Sequence, residues 1–125
     1  MALSMQSRLP LPDVAAFDAE QRQIHDSILA TRGNLDGPFL AWMHSPGFAT
    51  LAEKLGAFCR YRTALPLIES ELLILCVAAR FDCVGEQQIH EPIALQAGLP
   101  EAAVAAIRER RDPALQAPRL ALLHR

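Results

Sequence analysis

An all-α fold of five to seven helices is predicted by three observations on the chain. Between frequent prolines and glycines, nine and six in 125 residues, every long segment spaces its apolar residues with a helical rather than a strand period. Helix start and stop residues bracket those segments. A composition of 51% hydrophobic and 21% charged residues supplies core material at a length that suits one domain. Residues 1–125 are therefore expected to form a single domain without repeats.

The elements follow in order. After an irregular start through Pro10 and Pro12, "DAEQRQIHDSILATRG" offers Asp18 as N-cap and Gln21 three residues on, a capping-box signature. Ile24, Ile28 and Leu29 form its apolar stripe, and Gly33 follows its end. The loop "GNLDGP" leads to a short helix, "PFLAWMH". Ser45-Pro46 then signals a start, Ser as N-cap and Pro at the first helical position, where its missing N–H is not needed. The helix runs to about Tyr61 with Phe48, Leu51, Leu55 and Phe58 on one side, until "TALP" breaks it.

From Leu67 to Arg80 a face of Ile68, Leu72, Leu75 and Ala79 is widened by Leu73, Cys76 and Val77. A helix apolar around so much of its girth belongs at the centre of a fold. The next segment, Cys83 to Ala97, contains Pro92, which removes one backbone hydrogen bond and crowds the carbonyl of Gln88. Either a kink after His90, two short helices or a tolerated bend is expected there. Gly98 and Pro100 separate it from "PEAAVAAIRERR". The last helix, "PRLALLHR", stops within a couple of turns without a cap, so the C-terminal helix reads as truncated.

Several function classes drop out. The net charge is -2, and Arg and Lys are scattered rather than gathered into the basic patch that nucleic acid requires. The opening "MALSMQSRLPLPD" lacks the apolar region of a secretory signal. The longest apolar run, Leu72 to Ala79, falls short of the roughly 20 residues of a membrane span. A cytoplasmic protein without a membrane segment is expected. The odd set Cys59, Cys76 and Cys83 implies no disulfide framework. Cys59 and Cys76, in apolar surroundings, read as small core hydrophobes, whereas Cys83 beside Asp82 reads as a candidate reactive thiol.

The candidate site lies in "DCVGEQQIH". On a helix Cys83, Glu86 and His90 fall within about 60° of one another, and Glu86 and His90, at i and i+4, are near enough to hydrogen-bond. A carboxylate held against an imidazole fixes which nitrogen carries the proton and equips the pair for proton transfer near neutral pH. The bland alternative is a solvated surface pair. One His with two carboxylates on different helices is only a loose metal signal, and no metal or cofactor is expected. His25 and His124 read as solvated. His44, in "WMHSPGF", reads as a structural histidine beside a helix start, with a pocket-lining role as the alternative. Phe39 and Trp42 read as core.

Glu71 lies twelve positions before Cys83, giving E-x11-C-x2-E-x3-H across two helices. This string resembles the alkylhydroperoxidase AhpD and carboxymuconolactone decarboxylase superfamily, whose redox members carry E-x11-C-x2-C-x3-H. The likeness extends to "RGNLDGPFLAWMHSPGFA", "LGAFCRYRTALPLIESELLILCVAAR" and "CVGEQQIHEPIALQAGLPEAAVAAI". It implies an AhpD-like helical domain in which Glu71 assists proton transfer, Cys83 matches the first cysteine and His90 the histidine. Glu86 stands where the redox members have a second cysteine, so Cys83 has no resolving thiol one turn away. Glu86 with His90 resembles the decarboxylase-like branch, although Gly85 and Gln87 replace the aromatics usual there.

Three functions stay open. One is cofactor-free proton-transfer chemistry, decarboxylation or isomerisation, on a small carboxylated or lactone metabolite. The second is a thiol peroxidase in which Cys83 reduces a hydroperoxide and an external thiol resolves it. The third is a non-enzymatic helical subunit with a decayed site. A chain this apolar is expected to cover its faces by assembling, and the resemblance implies a homo-oligomer, a trimer or a hexamer.

Overall fold

The computed structural model describes residues 7–125, so the first six positions of the stretch read for a secretory signal lie outside the described residues. The described residues are helical wherever they are regular, with seven α-helices and a single 3-10 turn over Val14–Ala16. The all-α expectation holds. The helices sort into two compact units, one ending at Thr63 and one running from Ala64 to Arg125.

In the first unit, α1 (Ala19–Arg32) begins with the expected capping box. The Gln21 amide donates to Asp18 Oδ1 at 2.8 Å and Gln21 Oε1 accepts from the Asp18 amide at 3.0 Å, which satisfies two otherwise orphaned donors. Gly33 ends the helix in the left-handed conformation at φ 76°, where a Cβ is costly. A four-residue α2 (Phe39–Trp42) follows, and the Gln21 side chain donates to the carbonyl of Met43 just beyond it, at 2.9 Å. Phe17, Ile24, Ile28, Phe39, Met43 and Ala49 form the core of this unit. Trp42 stands edge-on to Phe39 and to Phe48.

Helix α3 (Pro46–Tyr61) has the expected bounds. Ser45 holds the N-cap position, but its side chain makes no capping hydrogen bond. The side bearing Phe48, Leu51, Leu55 and Phe58 is open, with Leu51 71% exposed, and α3 instead buries Ala49, Glu53 and Ala57. Residues at i, i+4 and i+8 share a face, and two alanines let the backbones approach closely. Cys59 is exposed as well and is not a core residue.

The second unit comprises α4 (Leu67–Arg80), α5 (Val84–Gln96), α6 (Glu101–Arg108) and α7 (Pro118–His124). Helix α4 is the central one and packs against the other three. Leu72, Leu75 and Ala79 meet Ala94, Leu99, Val104 and Ile107, with Cys76 packed at the margin. Val77, counted with the apolar face, is 58% exposed. Helix α5 runs through Pro92 as one helix. Pro92 and Gln88 are both exposed, so water can satisfy the carbonyl that the proline frees.

Three of these helices end in the same hydrogen-bond pattern. Cys83 N–H donates to Ala78 and Asp82 N–H to Ala79 after α4. Leu99 donates to Ala94 and Gly98 to Leu95 after α5, and Arg111 to Ala106 and Arg110 to Ile107 after α6. This is the Schellman closure, with one left-handed residue at its turn. Gly98 fills that place after α5, but Asp82 at φ 54° and Arg110 at φ 57° fill the other two. Arg110 and Asp82 form an ion pair with each other, and Arg110 Nε donates to the carbonyl of Ala79 at 2.9 Å. Among the described residues no helix is long and apolar enough to cross a membrane.

Candidate active site

Glu71 sits on the core side of α4, fully buried at 0% exposure. A carboxylate taken out of water is stable only with a close polar partner. His90 on α5 provides it: Nδ1 and Glu71 Oε2 are 2.7 Å apart and both groups are buried. Helices α4 and α5 pack side by side, which brings together residues nineteen positions apart. The other ring nitrogen, Nε2, lies 3.3 Å from Oε2 of Glu86, one turn earlier on α5. The side chain of Glu86 is 41% exposed, against 7% for His90. One imidazole therefore bridges an inner carboxylate and an outer one.

Proton counting defines the states of this trio. An ionised carboxylate only accepts, and a neutral imidazole donates from one nitrogen alone. Both contacts are satisfied together when the ring carries two protons or when one carboxyl keeps its own. The short contact at Nδ1 fixes the orientation of the ring and leaves Nε2 as the nitrogen that can exchange a proton. The orienting contact expected of Glu86 thus belongs to Glu71, and Glu86 lies at the exchanging nitrogen. The two carboxylates stand against opposite nitrogens of the ring, so the three side chains do not converge on a point. Among the described residues no group of three or more His, Cys, Asp or Glu side chains is arranged to hold a metal ion.

Cys83 occupies the N-cap of α5 with ψ 81°, outside the helical conformation, and is exposed. Its carbonyl still accepts the first helical hydrogen bond, from the Gln87 amide at 3.1 Å. The left-handed Asp82 precedes it at the end of α4.

Elsewhere, His44 Nε2 donates to the carbonyl of Pro10 at 2.7 Å, a structural role. His25 is half-buried rather than solvated, edge-on to Phe17 with ring centres 5.8 Å apart and with Nδ1 3.0 Å from Asp26. Sequence reasoning missed the pairing of Asp82 with Arg110 and that of the buried Glu69 with Arg119, fifty positions away. No local signal announces such pairs, because neither partner falls on the same helical turn as the other.

Compared with family models, with curated proteins and with solved structures, the chain matches none.

Proposed function

We propose that this protein is a cofactor-free lyase or isomerase of the carboxymuconolactone decarboxylase type, acting on a small carboxylated or lactone metabolite. The observation that carries the reading is the buried 2.7 Å contact between Glu71 and His90, which holds the imidazole with Nε2 toward the more open Glu86. In a decarboxylation, the carbon–carbon bond to the carboxylate breaks and its electron pair passes into the conjugated carbonyl as an enolate. His90 Nε2–H then delivers the proton to carbon, and Glu71 stabilises the positive charge of the ring beforehand. Glu86, at the boundary with solvent, returns a proton to Nε2. Isomerisation uses the same nitrogen twice, first as base and then as acid.

The exposure of Cys83 favours a second reading. Its thiolate attacks a hydroperoxide and becomes the sulfenic acid while the alcohol leaves, and an external thiol then reduces it. In either case the proposed setting is the cytoplasm and the proposed assembly a homotrimer or homohexamer. The open side of α3 supports assembly, since a contiguous apolar stripe is unusual on a monomer.

Steady-state rates of His90→Gln and Cys83→Ser on a lactone panel and on a hydroperoxide test both readings. Loss of lactone turnover in His90→Gln, with a mild effect of Cys83→Ser, is the expected result. The reverse order on the hydroperoxide selects the peroxidase. A wild-type protein inert toward both substrates leaves the non-enzymatic subunit.

A further inference from the structure

The second unit holds a cleft of about 370 Å³ between α4, α7 and the end of α6. It shares no residue with Glu71, Glu86 and His90. Arg80, Arg110, Arg111 and His124 line it over a floor that includes Cys76 and Ile107. We propose that this cleft binds a small organic monoanion, a carboxylate carried on a short apolar body.

Three guanidinium groups line the cleft against one carboxylate, Asp112, which already accepts from the Ala114 amide at 2.9 Å. Arg110 and Arg111 are held by Asp82 and Glu109. Among the described residues no hydrogen bond or ion pair engages the side chain of Arg80. A guanidinium matches a carboxylate with two parallel donors.

A simpler role for these arginines lies at the C-terminal ends of α4 and α6, where cations offset the helix dipole. That role needs only proximity to a helix end. The Schellman closure of α6 sets Arg110 in the left-handed conformation at φ 57°. The conformation turns Arg110 back onto the Ala79 carbonyl and the Asp82 carboxylate, which fixes its guanidinium at the wall of the cleft.

The floor selects the rest of the ligand. Cys76 is half-buried, and burial pushes its thiol up, so near neutrality it presents an uncharged, apolar surface. A second cleft, also of about 370 Å³, shares Asp112 and His124 and is lined by Pro113, Leu115 and Ala121. Apolar residues therefore line the adjoining cleft as well, beside Gln116 and Arg125. Asp112 disfavours a second negative charge on the ligand, which sets a monocarboxylate above a phosphate.

The test uses the wild-type chain and follows alkylation of Cys76 by mass spectrometry of the peptide that contains it. Hexanoate is the probe, with inorganic phosphate and hexanol as controls at matched ionic strength. Hexanoate is expected to slow alkylation of Cys76, and not of Cys59, with half-effect at about millimolar concentration, as suits a ligand of so few atoms. In the double variant Arg80→Gln, Arg111→Gln the half-effect is expected to rise about tenfold or more. No protection by hexanoate overturns the proposal. Equal protection by phosphate overturns the ligand class, and equal protection by hexanol overturns the role of the arginines even if the double variant fails to fold.

Discussion

His90 meets a carboxylate at each ring nitrogen, and the two carboxylates differ in their access to water. Glu71 is buried completely while Glu86 is partly exposed, so they respond differently to substitution. Glu71→Gln keeps the volume but replaces an acceptor with an amide that also donates, which allows the wrong imidazole tautomer. If the proposed proton transfer is the activity, turnover is expected to fall about 100- to 10,000-fold, the range in which an orienting acid supports a general base. Glu86→Gln is expected to cost about 10- to 1000-fold, because its place at Nε2 faces solvent and water can substitute. Rates on the lactone panel check this, and equal losses would contradict the assignment of inner and outer roles. Stability supplies an independent measure. His90→Ala deprives a buried carboxylate of its closest partner and is expected to cost about 3–5 kcal/mol in urea unfolding. Adding Glu71→Gln should recover part of that loss, since no charge then remains buried there. Cys76 offers a third residue-scale result. Alkylation requires the thiolate, and burial raises the thiol of Cys76, so at neutral pH it should react after the exposed Cys59 and Cys83. Protonated Cys76 is favoured in the folded state, so its contribution is present below the ordinary thiol pKa and fades as pH rises through the folded value.

At the scale of elements, the helix ends carry the information that periodicity lacks. Asp18 with Gln21 and the left-handed Gly33 bound α1 by local chemistry. The ends of α4 and α6 use Asp82 and Arg110 where glycine is usual, and their mutual ion pair and the bond from Arg110 to Ala79 help to hold them. The strain and the contacts separate by substitution. Arg110→Ala loses the contacts and keeps the left-handed backbone with a Cβ, whereas Arg110→Gly loses the same contacts and relieves the backbone. The glycine variant should therefore be the more stable of the two by about 1 kcal/mol, the reverse of their order inside a helix. Thermal unfolding of both variants checks this, and an alanine variant at least as stable as the glycine variant would contradict the strain.

For the whole molecule, the main physical tension is apolar surface. Phe48, Leu51, Leu55 and Phe58 line one side of α3 at spacings of three, four and three residues and stay exposed. That alternation is the a/d pattern of a helix seam. If the proposed homo-oligomer forms through this stripe, Leu51→Gln with Leu55→Gln should shift it to monomer in light scattering while the helical content is kept. Both side chains are already exposed, so little of the core is lost. An assembly of unchanged mass would move the interface elsewhere.

The sequence by itself determined the fold class, the extent of α3 and α4, and both ends of α1. Those features depend on residues at most four or five positions apart, where capping, helical period and backbone preference act. It also offered Glu86 and His90 through their i, i+4 relation on one helix, and Glu71 with Cys83 through the resemblance. Only the tertiary structure decided that Glu71 takes Nδ1 and that α3 buries its alanines rather than its large side chains. Each of these depends on which helix lies alongside. The contact of Glu71 with His90 spans nineteen positions and that of Arg110 with Asp82 twenty-eight. Over such distances a side chain's partner is set by packing, and the period of its own helix says only which way it points.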